Sequence, residues 1–573
     1  MALAKVQADR VARLVVGTLL ATPALLTFGL TLWAPAVHTL ALSLQTAPLG
    51  RLARFAGLAN YGRLAADPAF APALAHSLLV ALVRIVALAL PAALAGLCSR
   101  FPRVGRGWAR RAMGVALAFS APAALALLWR LAGRQVPALD LTNRALALPS
   151  YLGLEAFSFL GLGGALAATA LLMATTPRTR RALLFLAGMA AAASGLGSFT
   201  LPFAATGGRP SGATLTLPLH AFRTAFLQLR LGQAAAQTSL PLAACAGLGL
   251  AFGAVSEWLG LRLVPVLCQH AYGPQSTPGA LGRDHHEAEP GALPISANGS
   301  RILSALGVLG LALAALYVAP FVLAYLWSMG QAFYPAGHPL ARATEELATG
   351  LALVNGVLAP LLTTFCVSLP VAYLAALSLS LLRPFGHRGS QALYLWLLAG
   401  GFVPPVALGI GLYAAVRAAG LYNTPLAPAI GFAASAPALY LFKLYFDGQA
   451  PILAKAQEAG QPTLTAFFQL SFGPSLRVVA LAGVVTLLAS AQSLLWPLLV
   501  LAQRDFLPLS LRLVVLQTRL ADEPGALGAG CWLVLTVWGA ATLIGWALVE
   551  HVALRRFEIV AARFCQRPAP GVE

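Results

Sequence analysis

The sequence predicts an all-α polytopic membrane protein with about twelve transmembrane helices in two homologous six-helix halves. Three observations predict it. Hydrophobic residues fill 59% of the 573 positions and charged residues only 10%, with a mean hydropathy of +0.79, whereas soluble domains carry roughly 25% charged residues. About twelve apolar runs are each long enough to cross ~30 Å of hydrocarbon, which takes ~20 helical residues. Finally, the polar and proline punctuation of the first half returns in the second.

The elements follow in order. Lys5 and Arg10 precede, and Arg13 opens, an apolar run over 12–43, too long for the 7 to 15 residue core of a signal peptide, so an uncleaved first span is expected. Runs near 75–98, 112–132, 158–175, 182–204 and 234–260 complete a first half, 1–264. At 265–300 the apolar periodicity stops and Gly, Pro and Ser appear, marking a polar cytoplasmic linker. Its Asp284, His285, His286 and Glu287 read as a solvated charge cluster in a tether rather than a metal site. The second half, 301–573, holds runs near 302–330, 349–381, 391–415, 426–446, 476–501 and 527–552 and ends in a basic cytoplasmic tail.

The repeat rests on ordered anchors. His76-Ser77-Leu78 opens a run that closes at Arg100, Arg103, Arg106 and Gly107, and Phe119-Ser120-Ala121-Pro122 follows. Asn355-Gly356-Val357 opens a run that closes at Arg383, Arg388 and Gly389, and Phe402-Val403-Pro404-Pro405 follows. The offset drifts only from 279 (His76 to Asn355) to 283 (Phe119 to Phe402). Two similar membrane halves suggest a pathway between them.

A formal charge of +20 would suggest nucleic acid in a soluble protein, but no soluble domain is present to carry a basic face. The basic residues instead concentrate in short loops: Arg100 to Arg111, Arg178-Thr179-Arg180-Arg181, and the tail from Arg555 to Arg567. With alternating spans all three fall on one side, which the positive-inside rule makes cytoplasmic together with both termini. Arg51, Arg54, Arg63, Arg209, Arg223 and Arg230 fall on the other side. Six scattered cysteines without a Cys-x-x-Cys read as free thiols.

Specific segments carry a family resemblance. Phe199 to Ala236 reads FTLPFAATGGRPSGATLTLPLHAFRTAFLQLRLGQAAA, and this resembles the signature of the first inner-membrane permease of carbohydrate-type ABC importers. The TGGGP turn of that family is matched by Thr206-Gly207-Gly208-Arg209-Pro210, with Arg209 in place of the third glycine. The segment GLANYGRLAADPAF at Gly57 to Phe70 resembles its GLxNY element. GLYNTPLAPAI at Gly420 to Ile430, LLWPLLVL at Leu494 to Leu501 and the loop from Asp447 to Pro474 resemble the partner permease. The chain therefore resembles two permease subunits fused into one. Physically, Gly207 and Gly208 beside Pro210 suit a tight turn, and Gly232 with Ala234, Ala235 and Ala236 allows close helix approach.

In that family a cytoplasmic helix-turn-helix bearing an EAA triplet, then three residues and a glycine, docks on the ATPase. Aligned on Gly460, the triplet positions hold Ala454-Lys455-Ala456; the glutamate is absent there and Glu458 stands one turn later. The equivalent first-half loop is only Thr175 to Arg181, too short for a helix-turn-helix. A working loop and a decayed one both remain open.

The resemblance implies a permease that is not itself an enzyme, moving a carbohydrate or glycerol-phosphate-like solute across a bacterial inner membrane. Its implied partners are a cytoplasmic ABC ATPase dimer, a periplasmic or extracellular solute-binding protein, the bilayer and the solute. No cofactor is expected on this chain, since ATP belongs to the partner: there is no Gly-x-x-x-x-Gly-Lys-Ser/Thr loop and only three lysines, Lys5, Lys443 and Lys455. Polar residues within spans face cavities, which makes Arg84, Asn355, Gln492 and Trp496 candidates for the substrate path, with His76, Trp129, Tyr413 and Tyr440 nearby in kind. Alternatives are a twelve-span secondary transporter, disfavoured because Glu155 and Glu257 stand near span ends, and a degenerate, non-transporting scaffold derived from a permease.

Overall fold

The computed structural model describes residues 2–46, 54–99, 103–266, 297–334, 338–347, 349–520 and 522–565. Nine helices among the described residues are long and apolar enough to cross a membrane, and two sharply bent helix pairs raise this to eleven if each pair crosses once. The protein is thus an all-α polytopic membrane protein. The expected run at 182–204 is divided: its helix, Pro177–Leu196, ends at Gly197, and Thr200–Ala205 is a separate short helix. Arg178, Arg180 and Arg181 in its first turns shorten the apolar stretch further.

The same element order occurs twice. Each series has a long first helix, ending at Ser43 or Phe333, then a short helix, Ala59–Ala65 or Pro339–Leu347. An apolar helix follows, Phe70–Cys98 or Ala352–Leu382, and then a bent pair, Gly105–Ala118 with Pro122–Gly133 or Gly386–Gly400 with Pro405–Ala418. Long helices Arg144–Met173 and Ala427–Glu458 come next, followed by Pro177–Leu196 and Gly473–Ala491, and by the short helices Thr200–Ala205 and Leu495–Val500. Each series closes on a long helix, Leu231–Leu259 or Pro524–Val549, and a strand.

The bends have one cause. Pro122 and Pro405 each begin the second helix of a pair; proline lacks the N–H that the continuing helix needs, and it forces the preceding residue to extend. Ala121 (ψ 110°) and Pro404 (ψ 134°) comply, and the axes turn by 73° and 90°.

The two series interlock through their last helices. A Cβ on Gly249 would lie 2.9 Å from Ala399 Cα and from Phe402, and one on Gly539 would lie 3.1 Å from Phe119. Each last helix therefore crosses the bent pair of the other series, with a glycine against the equivalent phenylalanine. One apolar core runs through both series, from Phe28, Leu94 and Met113 to Tyr394, Phe442 and Trp546.

Four short strands complete the fold: β1 (Gln45–Thr46), β2 (Arg54–Phe55), β3 (Leu261–Pro265) and β4 (Phe557–Ala561). β1 pairs with β2, and β3 pairs antiparallel with β4, Leu261 opposite Ala561 and Pro265 opposite Phe557. An isolated two-stranded ribbon is marginal. Here helix Ala436–Glu458 packs on it, Tyr445 against Phe557 and Gly448 against the Leu263 carbonyl. The strands revise two boundaries. The expected linker start at 265 falls in β3, and Val266 N donates to Arg556 O at 2.9 Å; the expected free tail includes β4. Helix Ala297–Phe333 already occupies 297–300. Residues 267–296, with Asp284, His285, His286 and Glu287, lie outside the described residues.

The basic segments gather around this ribbon. Arg106, Arg110 and Arg111 line one cavity with Val266, Arg555 and Phe557, and Thr175 N donates to Ile559 O just before Arg178.

Candidate functional site

The bends leave room beside them. Two adjoining cavities, of about 670 and 520 Å³, share Ser194, Gly197, Phe252 and Tyr440 among their walls. The first reaches Pro122 at one bend and the second reaches Phe402, Pro404 and Pro405 at the other. Corresponding broken helices that flank one cavity are where membrane transporters build solute sites.

The walls are mainly aliphatic and aromatic. The Phe252 ring lies 5.1 Å from Tyr440 and 5.3 Å from Phe402, and the Tyr440 hydroxyl shares a 3.1 Å hydrogen bond with Ser256. Arg84 supplies the charge. Its Nη2 and Nε donate to Glu155 Oε2 at 2.7 and 3.1 Å, and Nη2 also donates to Ser198 Oγ at 3.2 Å. The other carboxylate oxygen of Glu155 accepts from Tyr151 Oη at 2.5 Å and Ser198 Oγ at 2.7 Å. Glu155 is fully buried, while Arg84 keeps a small exposure and lines the larger cavity. Four donors on one carboxylate satisfy its hydrogen-bonding capacity.

Glu155 was misplaced by hydropathy alone. Helix Arg144–Met173 starts well before the expected 158, with Asn143 capping it by accepting from Ala145 N at 2.9 Å. Glu155 therefore stands well inside the helix. Arg144, Pro149, Ser150 and Glu155 itself dilute the hydropathy of its first half, which hid the start; the Asn143 cap was the readable signal. Gln237 was missed altogether: it is fully buried, and neither amide atom has a partner among the described residues.

Of the other path candidates, Gln492 is buried at the break after Gly473–Ala491 and its Oε1 has no partner among the described residues. Asn355 donates to the Asp505 carbonyl and lines a separate apolar pocket with Phe506. Trp496 is packed over Gly431 and donates to Ala427 O at 3.1 Å. Trp129 donates to Ser150 Oγ at 2.9 Å, and Tyr413 packs on Phe226 and Tyr422. His76 Nδ1 meets Leu215 O at 3.1 Å. Only Arg84 and Tyr440 come together at the cavities.

The signature turn is compact. Gly207 and Gly208 have φ +58° and +85°, and Arg209-Pro210 is a cis bond. Thr206 Oγ1 accepts from Gly208 N at 3.0 Å and meets Thr214 Oγ1 at 2.6 Å, and Arg223 donates to Gly207 O.

On the ribbon side, helix Ala436–Glu458 runs past its apolar part into Ala454, Lys455, Ala456 and Glu458, and ends on Gly460. Gly460 has φ +83°. Its N–H donates to Gln457 O at 2.9 Å, and Gln461 N donates to Ala456 O at 3.0 Å, which is the Schellman arrangement. Helix Thr463–Ala466 follows, so the segment is a helix-turn-helix with Lys455, Glu458 and Gly460 exposed. The first series has no such segment: its helix stops at Met173, and Thr176 caps the next helix by accepting from Thr179 N at 3.1 Å.

No group of three or more His, Cys, Asp or Glu side chains among the described residues is placed to hold a metal ion. No family model matches the chain, and no curated protein matches it in sequence.

Proposed function

We propose that this chain is the permease component of an ABC importer of the carbohydrate type, two permease subunits fused into twelve spans, moving a carbohydrate or glycerol-phosphate-like solute. The observation that carries this reading is the exposed helix-turn-helix at Ala454 to Gly460, on the ribbon side of a cavity flanked by two equivalent broken helices. Aromatic faces of Phe252, Phe402 and Tyr440 suit stacking on a sugar ring. Arg84 is neutralised by Glu155, so it offers directed donors rather than free charge, which favours a neutral carbohydrate over a phosphate ester.

In this mechanism an extracytoplasmic binding protein releases solute at the face bearing Thr206 to Pro210. A separate ATPase dimer engages the Gly460 segment and rocks one half against the other around the cavity. The missing first-series segment makes this coupling one-sided. The ribbon end, with its gathered arginines, faces the cytoplasm of a bacterial inner membrane.

A second reading has one observation in its favour: Glu155 is an intramembrane carboxylate paired with Arg84, which lines the larger cavity, and ion-coupled secondary transporters use such carboxylates. Reconstitution in liposomes with candidate ATPase and binding protein separates the two. Solute-stimulated ATP hydrolysis supports the importer, and uptake driven by an ion gradient without ATPase refutes it. Neither a complex nor uptake leaves a scaffold derived from a permease.

A further inference from the structure

The ribbon end carries another cavity, of about 460 Å³, which the transport reading does not use. Arg106, Arg110, Arg111 and Arg555 line it, with Trp108 on its rim 57% exposed. One carboxylate serves two of these arginines: Glu550 accepts from Arg110 at 2.9 and 3.1 Å and from Arg555 at 3.4 Å. Among the described residues neither Arg106 nor Arg111 has an ion-pair partner, and Arg111 stacks over Trp108 at 5.2 Å. Arg106 Nε is a buried donor without an acceptor, as is the Nε of Arg180, which lies close enough to feel the Arg106 charge. Glu558 is the one acidic residue in the lining.

The repeated element order supplies an internal comparison. At the corresponding place beside the other bent pair, Glu257, at the end of helix Leu231–Leu259, accepts from Lys443 at 2.9 Å, and Asp447 also takes Lys443. That cavity is only about 160 Å³ and carries its own counter-charges. Helix Ala436–Glu458 brings Lys443 and Asp447 there, whereas the matching helix of the first series stops at Met173. The smaller cavity sets Glu257 and Asp447 against Arg262, Arg383 and Lys443, whereas the larger sets four arginines against Glu558 in its lining and Glu550 behind it, and so holds the greater excess of positive charge.

We propose that this cavity binds a phosphate group, supplied by the headgroup of an anionic phospholipid. Guanidinium forks bind phosphate oxygens in pairs, and an exposed tryptophan at the mouth lies where membrane-interface aromatics sit. Basic pockets between spans hold such headgroups. The proposal rests on the membrane reading but not on transport, so a failed uptake assay leaves it standing.

The full chain in nonionic detergent is titrated with dihexanoyl phosphatidylglycerol, dihexanoyl phosphatidylcholine or inorganic phosphate, following thermal unfolding and, by native mass spectrometry, retained lipid. Phosphatidylglycerol raises the Tm where phosphatidylcholine does not, and Arg106→Gln with Arg111→Gln weakens the half-saturating concentration about tenfold or more. Arg388→Gln, on the same end but outside the cavity, leaves the response unchanged. A full shift with inorganic phosphate alone overturns the lipid source while retaining the phosphate site. Equal responses in wild type and double variant, or equal responses to the two lipids, overturn the site. If the double variant does not fold, Arg111→Gln alone, at an exposed position, gives the same readout.

Discussion

Removing Arg84 should destabilise the protein far more than removing Arg84 and Glu155 together. Glu155 is fully buried and accepts two of its four hydrogen bonds from Arg84. In Arg84→Met the carboxylate keeps only the hydroxyls of Tyr151 and Ser198, and an uncompensated buried charge of this kind typically costs about 3–5 kcal/mol. Arg84→Met with Glu155→Met removes both charges at similar volume, a replacement that is often neutral or mildly stabilising. Glu155→Met should cost less than Arg84→Met, because the Arg84 head lines the cavity and keeps some exposure there. The assay is denaturant unfolding in micelles, with the four proteins forming a double-mutant cycle. A loss below about 1 kcal/mol for Arg84→Met, or a double variant no more stable than it, would refute the picture of a closed, charge-satisfied network.

Further outcomes follow from single positions. Gly460→Val places a β-branched residue at φ +83° in an exposed turn; the local strain is about 1–2 kcal/mol, so expression and membrane insertion should persist while co-purification with the ATPase proposed above falls. Gly249→Ala pushes a methyl to 2.9 Å from the Ala399 backbone, whereas the same change at Gly247 meets nothing within 4 Å. Thermal unfolding should therefore show a loss of about 1–3 kcal/mol for the first and little change for the second. Replacing Pro404 and Pro405 by alanine restores an N–H at the bend and should abolish solute uptake in liposomes more than it lowers yield; uptake at the wild-type rate would count against the bend as part of the site. Lys455→Cys should react with an impermeant maleimide in inside-out but not right-side-out vesicles, which fixes the orientation of the ribbon end.

The fold was legible where the sequence combined composition with punctuation. Phe119 to Pro122 and Phe402 to Pro405 stood out as a repeated motif, and both are helix bends, because proline acts on its own backbone whatever surrounds it. Gly460 was legible as a turn for the same local reason. What failed depended on partners distant in sequence. Glu155 looked peripheral until Arg84 was brought to it from another helix and Ser198 from the break after Pro177–Leu196. Trp496 and Asn355, named as path candidates, donate to the Ala427 and Asp505 carbonyls, away from the two adjoining cavities. The ribbon was invisible in advance, since Leu261–Pro265 lay between a span and the expected linker and Phe557–Ala561 lay within the expected basic tail.

That ribbon changes what the covalent join between the series is for. Five residue pairs, Leu261 with Ala561 through Pro265 with Phe557, tie the end of one series to the end of the other, a short distance from where the polypeptide enters 267–296. The backbone connection and the strand pairing are two fastenings at one place. A chain cleaved within 267–296 therefore keeps its two parts in register, held like the leaves of a hinge by its pin.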